Sequence, residues 1–119
     1  MEADEINIPG INPEIAIELV DGDLDIYLAI LQTCAENIPG TLDEIRNVNE
    51  ETLASYAINL HGMKGIYASI GAQEASERAK KLELLAKAGN LQEVLAENGD
   101  FIKSIENLVD VINDWLKKR

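Results

Sequence analysis

Apolar residues recur along this chain at intervals of three and four, and no convincing run shows the interval of two that marks a half-buried strand. Asn12-Pro13 reads as a cap followed by proline at the first helical position, predicting a short helix over about 13–20. Asp21-Gly22-Asp23 is a turn, with Asp23 the cap of a second helix whose inward positions are Tyr27, Leu28, Ile30, Leu31, Cys34 and Ile38. Pro39-Gly40 is expected to interrupt or bend that helix. Thr41 and Glu44, at capping-box spacing, would restart it with Leu42, Ile45 and Val48 inward. Asn49 can cap a third helix, favoured by Glu50 and Glu51, with Leu53, Tyr56, Ala57, Leu60, Met63, Tyr67 and Ile70 facing the core and Gly71 at its end.

A fourth helix is predicted over about 72–88, with Ala75, Ala79, Leu82 and Ala86 on one stripe and Gly89 just past its end. Asn90 caps a fifth stretch that Asn98-Gly99-Asp100 is expected to break or kink. Phe101, Ile102, Ile105, Leu108, Val109, Ile112 and Leu116 mark the last helix, in which Trp115 and Phe101 read as core or rim packing. Long amphipathic helices joined by short turns predict an all-α fold, an up-down antiparallel four-helix bundle with a short extra N-terminal helix.

The 119 residues are the size of one domain. No run of about 18 apolar residues is present, so no transmembrane helix is expected. The start, MEADEINIPG, is acidic and lacks a signal-peptide core, and one cysteine, Cys34, cannot form an internal disulfide; both point to the cytoplasm. The net charge of −12 argues against nucleic acid and anionic membrane as partners. The charge is uneven. Residues 1–60 carry 13 acids and one base, whereas residues 61–90 carry three acids and five bases. That basic interval is either a solvated face or a local site for something negative.

The single histidine lies in it. His61 follows the core position Leu60 by one residue, a rotation of about 100° that moves it beside the core stripe and toward solvent. Lys64 and Gly65, three and four residues on, share its face. A lone histidine is ordinarily a surface or core-edge residue, and Gly62 can serve close helix packing. Two glycines inside one helix nevertheless cost about 1 kcal/mol each relative to alanine, and Gly65 leaves room one turn from the imidazole. Several chemistries fail on residue supply: a His/Cys zinc site, the Glu-x-x-His of di-iron bundles (residue 58 is Ile) and glycine-rich nucleotide loops. A Ser-His-Asp triad suits a flat helix face poorly. A neutral imidazole can accept a phosphoryl group covalently, and a nearby lysine can stabilise its oxygens.

The segment His61-Gly62-Met63-Lys64-Gly65, followed by Ser69-Ile70-Gly71-Ala72, resembles the histidine-containing phosphotransfer (HPt) domain of bacterial phosphorelays. Upstream, Ile8-Pro9-Gly10-Ile11-Asn12, then Gly22-Asp23 with Tyr27, then Leu31 and Pro39 follow the same pattern. Downstream, Ala86-x-Ala88-Gly89-Asn90 also fits. The likeness covers about residues 8–117. Met63 stands in place of the usual leucine, and Cys34 where an aromatic is common.

The resemblance implies a helical bundle with His61 exposed at mid-helix and phosphorylated on Nε2. It implies that Lys64 contacts the phosphoryl oxygens, that Gly65 keeps the approach clear, and that Glu83 supports the histidine. It further implies response-regulator receiver domains and a hybrid sensor histidine kinase as partners. Mg²⁺ would be held by the receiver, with no cofactor of the chain's own and no autonomous kinase activity. The bundle would be a monomer. Two other readings remain: a non-catalytic helical docking adaptor, and the dimerisation and phospho-acceptor region of a histidine kinase.

Overall fold

The computed structural model describes residues 6–118, so the acidic start over residues 1–5 lies outside the described part. Within it the chain forms α1 (Pro13–Glu18), α2 (Leu24–Ile45), α3 (Leu53–Ser69), α4 (Gln73–Lys87) and α5 (Leu91–Lys118), with no strand among the described residues. The packed pairs are α2 with α3, α3 with α4, α4 with α5, and α5 with α2, which closes a four-membered ring; α1 rests on α2. The short connections make neighbours antiparallel. The fold is therefore the predicted all-α four-helix bundle with a short extra helix in front. The 28 residues of α5 span about 42 Å at 1.5 Å each, most of the 47 Å long axis.

Neither Pro39-Gly40 nor Asn98-Gly99-Asp100 breaks its helix. α2 runs unbroken through Pro39. Leu31, Ala35, Ile38, Leu42 and Ile45 are all buried at alternating spacings of four and three, one continuous stripe across the proline. Burying that stripe outweighs the roughly 3 kcal/mol a mid-helix proline costs. Thr41 is then no N-cap: its hydroxyl donates back to the Ile38 carbonyl at 2.7 Å. α5 likewise continues through Asn98-Gly99-Asp100. Asn98 is buried because its amide nitrogen donates to the Ile45 carbonyl at the end of α2 (2.8 Å) and its oxygen accepts from the Tyr56 hydroxyl (2.9 Å). A residue that reads as a helix breaker thus joins α2, α3 and α5.

Caps divide in the same way. Asp23 accepts from the Ile26 amide at 3.2 Å, and Asn90 from Glu93 at 3.3 Å, as predicted. Asn49 instead accepts from Glu51 and Thr52 in a turn that precedes α3, so that helix starts at Leu53 and the two glutamates lie before it. Asn12 makes no side-chain cap; its backbone N–H donates to the Gly71 carbonyl at 2.8 Å, pinning the N-terminal segment against the α3–α4 corner. Ile6 and Ile8 in that segment are buried in the main core. The Tyr27 hydroxyl donates to the Ile70 carbonyl at the same corner, at 3.0 Å.

Candidate functional site

α3 turns its Tyr56–Leu60–Met63–Tyr67 stripe inward, and the one-residue offset carries His61 outward; its side chain is 66% exposed. Gly62 and Gly65 are exposed too, and a Cβ added at either would meet nothing within 4 Å. Gly62 therefore does not serve close helix packing, and the surface beside the imidazole is bare backbone.

α4 packs along α3 through the small residues Ala72 and Ala79 and through Leu82 and Ala86, all buried. Glu83 lies within that apolar stripe and is 1% exposed, a charged group turned toward the α3 interface. It is not left unpaired. The imidazole Nδ1 lies 2.9 Å from Glu83 Oε2, Lys64 Nζ donates to Oε1 at 2.6 Å, and Lys87 Nζ reaches Oε2 at 2.8 Å. On the facing helix the Ser76 hydroxyl donates to the Lys64 carbonyl at 2.9 Å, fixing α4 against the turn that carries the lysine. The Lys64 ammonium, and then that of Lys87, hold the Glu83 carboxyl down at about 2 in spite of its burial, with His61 adding a smaller pull.

That charge state decides the tautomer. An ionised carboxylate can only accept, so the hydrogen on Nδ1 points at Glu83, and the free lone pair of the neutral ring is on Nε2. The arrangement matches the buried acid that orients the base in a hydrolytic triad, with the free nitrogen presented to solvent instead of to a neighbouring serine. The face is also less flat than expected. A groove of about 630 Å³ runs from His61 and Glu83 along Leu53, Ala54, Ala57, Ile58 and Ala86 to Glu50 and Lys87.

All four predicted site residues thus converge on one spot between α3 and α4. Lys64 is already bound to Glu83, whereas the resemblance implied only a contact with phosphoryl oxygens. Lys87 was missed. Its signal was legible, an acid inside an apolar stripe with a lysine four residues on. The basic interval 61–90 is not one patch: Lys64 and Lys87 join the site, but Lys81 pairs with Glu97 at 2.8 Å and Arg78 lies over the Phe101 ring at 5.8 Å.

Folding lowers the Glu83 carboxyl from its ordinary 4.5 to about 2. Its ion pairs therefore stabilise the fold fully above about pH 4.5 and lose that contribution as pH falls from 4.5 toward 2. Glu83→Gln should lower stability at pH 7 by something on the order of 1–3 kcal/mol. Urea unfolding at pH 7, 4.5 and 3 should show the gap between the two proteins closing in acid. A gap that widened or stayed constant would contradict the ionised, paired carboxylate.

An outward imidazole on a helical bundle, oriented by a buried carboxylate and flanked by cations, has the chemistry of a nucleophile for a negatively charged group. The chain is 30% identical over 118 residues to the phosphorelay protein LuxU of Vibrio harveyi, covering 97% of this chain and 98% of that protein. No protein-family model and no solved structure matches it. By that relative, the chain belongs to the family of histidine-containing phosphotransfer proteins. No helix among the described residues is long and apolar enough to cross a membrane.

Proposed function

We propose that this protein is a phosphorelay intermediate, taking a phosphoryl group on Nε2 of His61 from a receiver-domain aspartyl phosphate and passing it to another receiver. The observation that carries this reading is the exposed imidazole whose Nδ1–H is committed to the buried Glu83. In the loading step the Nε2 lone pair attacks phosphorus in line, the bond to the aspartyl oxygen breaks, and its electron pair leaves with the carboxylate. No proton moves: Nδ1 keeps its hydrogen, so the phosphorylated ring is formally cationic. Glu83, 2.9 Å away, stabilises that cation. The gap left by Gly65 lets a partner approach.

The donor and acceptor are response-regulator receivers, one of them carried by a hybrid sensor kinase. The receiver brings the Mg²⁺; this chain supplies the nucleophile, its orientation and cations. Ile58, 73% exposed and lining the His61 groove, suits an apolar contact with the docked partner. Lys64 and Lys87 complement the acidic pocket of a receiver within an otherwise acidic protein. Residues 8–117 act as one monomeric module in the cytoplasm, without kinase activity of their own.

The test is incubation with a panel of receiver domains charged by radiolabelled acetyl phosphate. Acid-labile, alkali-stable label should appear on this chain; docking without label would leave only an adaptor. Lys64→Ala should slow single-turnover loading about 10²-fold, the scale of one lost oxyanion donor, with the docking affinity changed far less. Rapid-quench rates beside a binding titration separate the two effects, and an unchanged rate would remove the lysine from the mechanism.

A further inference from the structure

We propose that Lys87 is a positioning residue for this transfer: it remains on the buried Glu83 carboxylate when Lys64 leaves it for the incoming phosphoryl group. The inference rests on the relay reading and deepens it. Its basis is how the two carboxylate oxygens are shared. Oε1 holds only Lys64, at 2.6 Å, whereas Oε2 holds both the imidazole Nδ1, at 2.9 Å, and Lys87, at 2.8 Å. On this proposal, Lys64 turns from Oε1 to the phosphoryl oxygens on loading and exchanges one partner for the other.

Without another cation, removing Lys64 from a carboxylate that is 1% exposed would leave only the imidazole, cationic only once loaded, to offset the buried charge. Lys87 prevents that. It sits on the same helix as Glu83, one turn along, so their pairing survives any small shift of α3 against α4. Its side chain is 59% exposed and lines the same groove as His61.

The charges show what it contributes. Before loading, Glu83 and the two lysines sum to one positive charge around a neutral ring. After loading, the doubly negative phosphoryl group and the cationic ring bring the cluster to zero. Without Lys87 the same step runs from zero to one net negative charge, and only the imidazole ring faces Glu83 once Lys64 has moved. Lys87 is thus what frees Lys64 to act on the phosphoryl oxygens.

The experiment compares Lys87→Met and Lys87→Arg, each in the native and the Glu83→Gln background, by single-turnover loading from one receiver charged with acetyl phosphate and Mg²⁺. With Glu83 present, Lys87→Met should slow the saturated loading rate about tenfold or more and leave the receiver concentration for half-saturation nearly unchanged, and Lys87→Arg should restore the rate to within about threefold. With Glu83→Gln, whose amide needs no counter-charge, Lys87→Met should change the rate by less than about twofold. A native-like rate for Lys87→Met, or equal slowing in both backgrounds, overturns the inference while the relay reading stands. Absence of label on the native protein from every charged receiver defeats both.

Discussion

Replacing His61 by glutamine is expected to abolish acid-labile phosphoryl label while leaving the bundle folded. The amide nitrogen of glutamine has no lone pair available for attack on phosphorus, so no slower version of the same reaction remains. The structural cost is small because the imidazole is 66% exposed. Glu83 keeps Lys64 and Lys87 when Nδ1 is lost, so no buried charge is stranded. Stability should change by about 1 kcal/mol or less. Unfolding curves should nearly superimpose, and label from charged receivers should vanish. Label that persisted on the glutamine variant would place the acceptor elsewhere, and a collapsed fold would show that His61 serves the bundle and not its surface.

The largest stability effect is expected at Gly71. Its φ is +84°, and a Cβ placed there would lie 2.2 Å from the Asn12 carbonyl oxygen and 2.9 Å from its carbon. Those are backbone atoms and cannot rotate away. The segment that carries them is held by the hydrogen bond from the Asn12 amide to the Gly71 carbonyl and by Ile6 and Ile8 in the core. Alanine at Gly71 must therefore either enter a left-handed conformation against a clash or lift the segment. Roughly 1–2 kcal/mol for the conformation, about 1 for the bond and part of the burial of two isoleucines predict a loss of about 3 kcal/mol or more.

Gly89 supplies the comparison. Its φ is +76°, yet a Cβ there meets nothing within 4 Å, so Gly89→Ala should cost only about 1–2 kcal/mol. Urea midpoints of the two variants, with proteolysis across residues 8–12, distinguish clash from conformation. Equal losses at both positions would remove the clamp.

Much of this was legible along the chain. The three-four spacing placed every helix, and the one-residue offset from Leu60 was enough to turn His61 outward. Two failures of that reading, the expected breaks, share a cause. Pro39 and Asn98-Gly99-Asp100 carry local signals that stop an isolated helix, but each sits where a long buried stripe or a tertiary hydrogen bond overrides the local cost. The resemblance placed Glu83 and Lys64 each beside His61, but not their pairing with one another. Lys87 left a legible spacing that was passed over, because an i, i+4 lysine on an exposed face is ordinarily worth only a few tenths of a kcal/mol.

The amino-acid order alone determined the helical class, the turns and the outward rotation of the imidazole, since those follow from backbone periodicity and local capping. The meeting of His61, Lys64 and Lys87 on one buried carboxylate was decided only in three dimensions. Small side chains let α4 lie close on α3, and Glu83, shut away from water there, can stay ionised only by gathering cations from both helices.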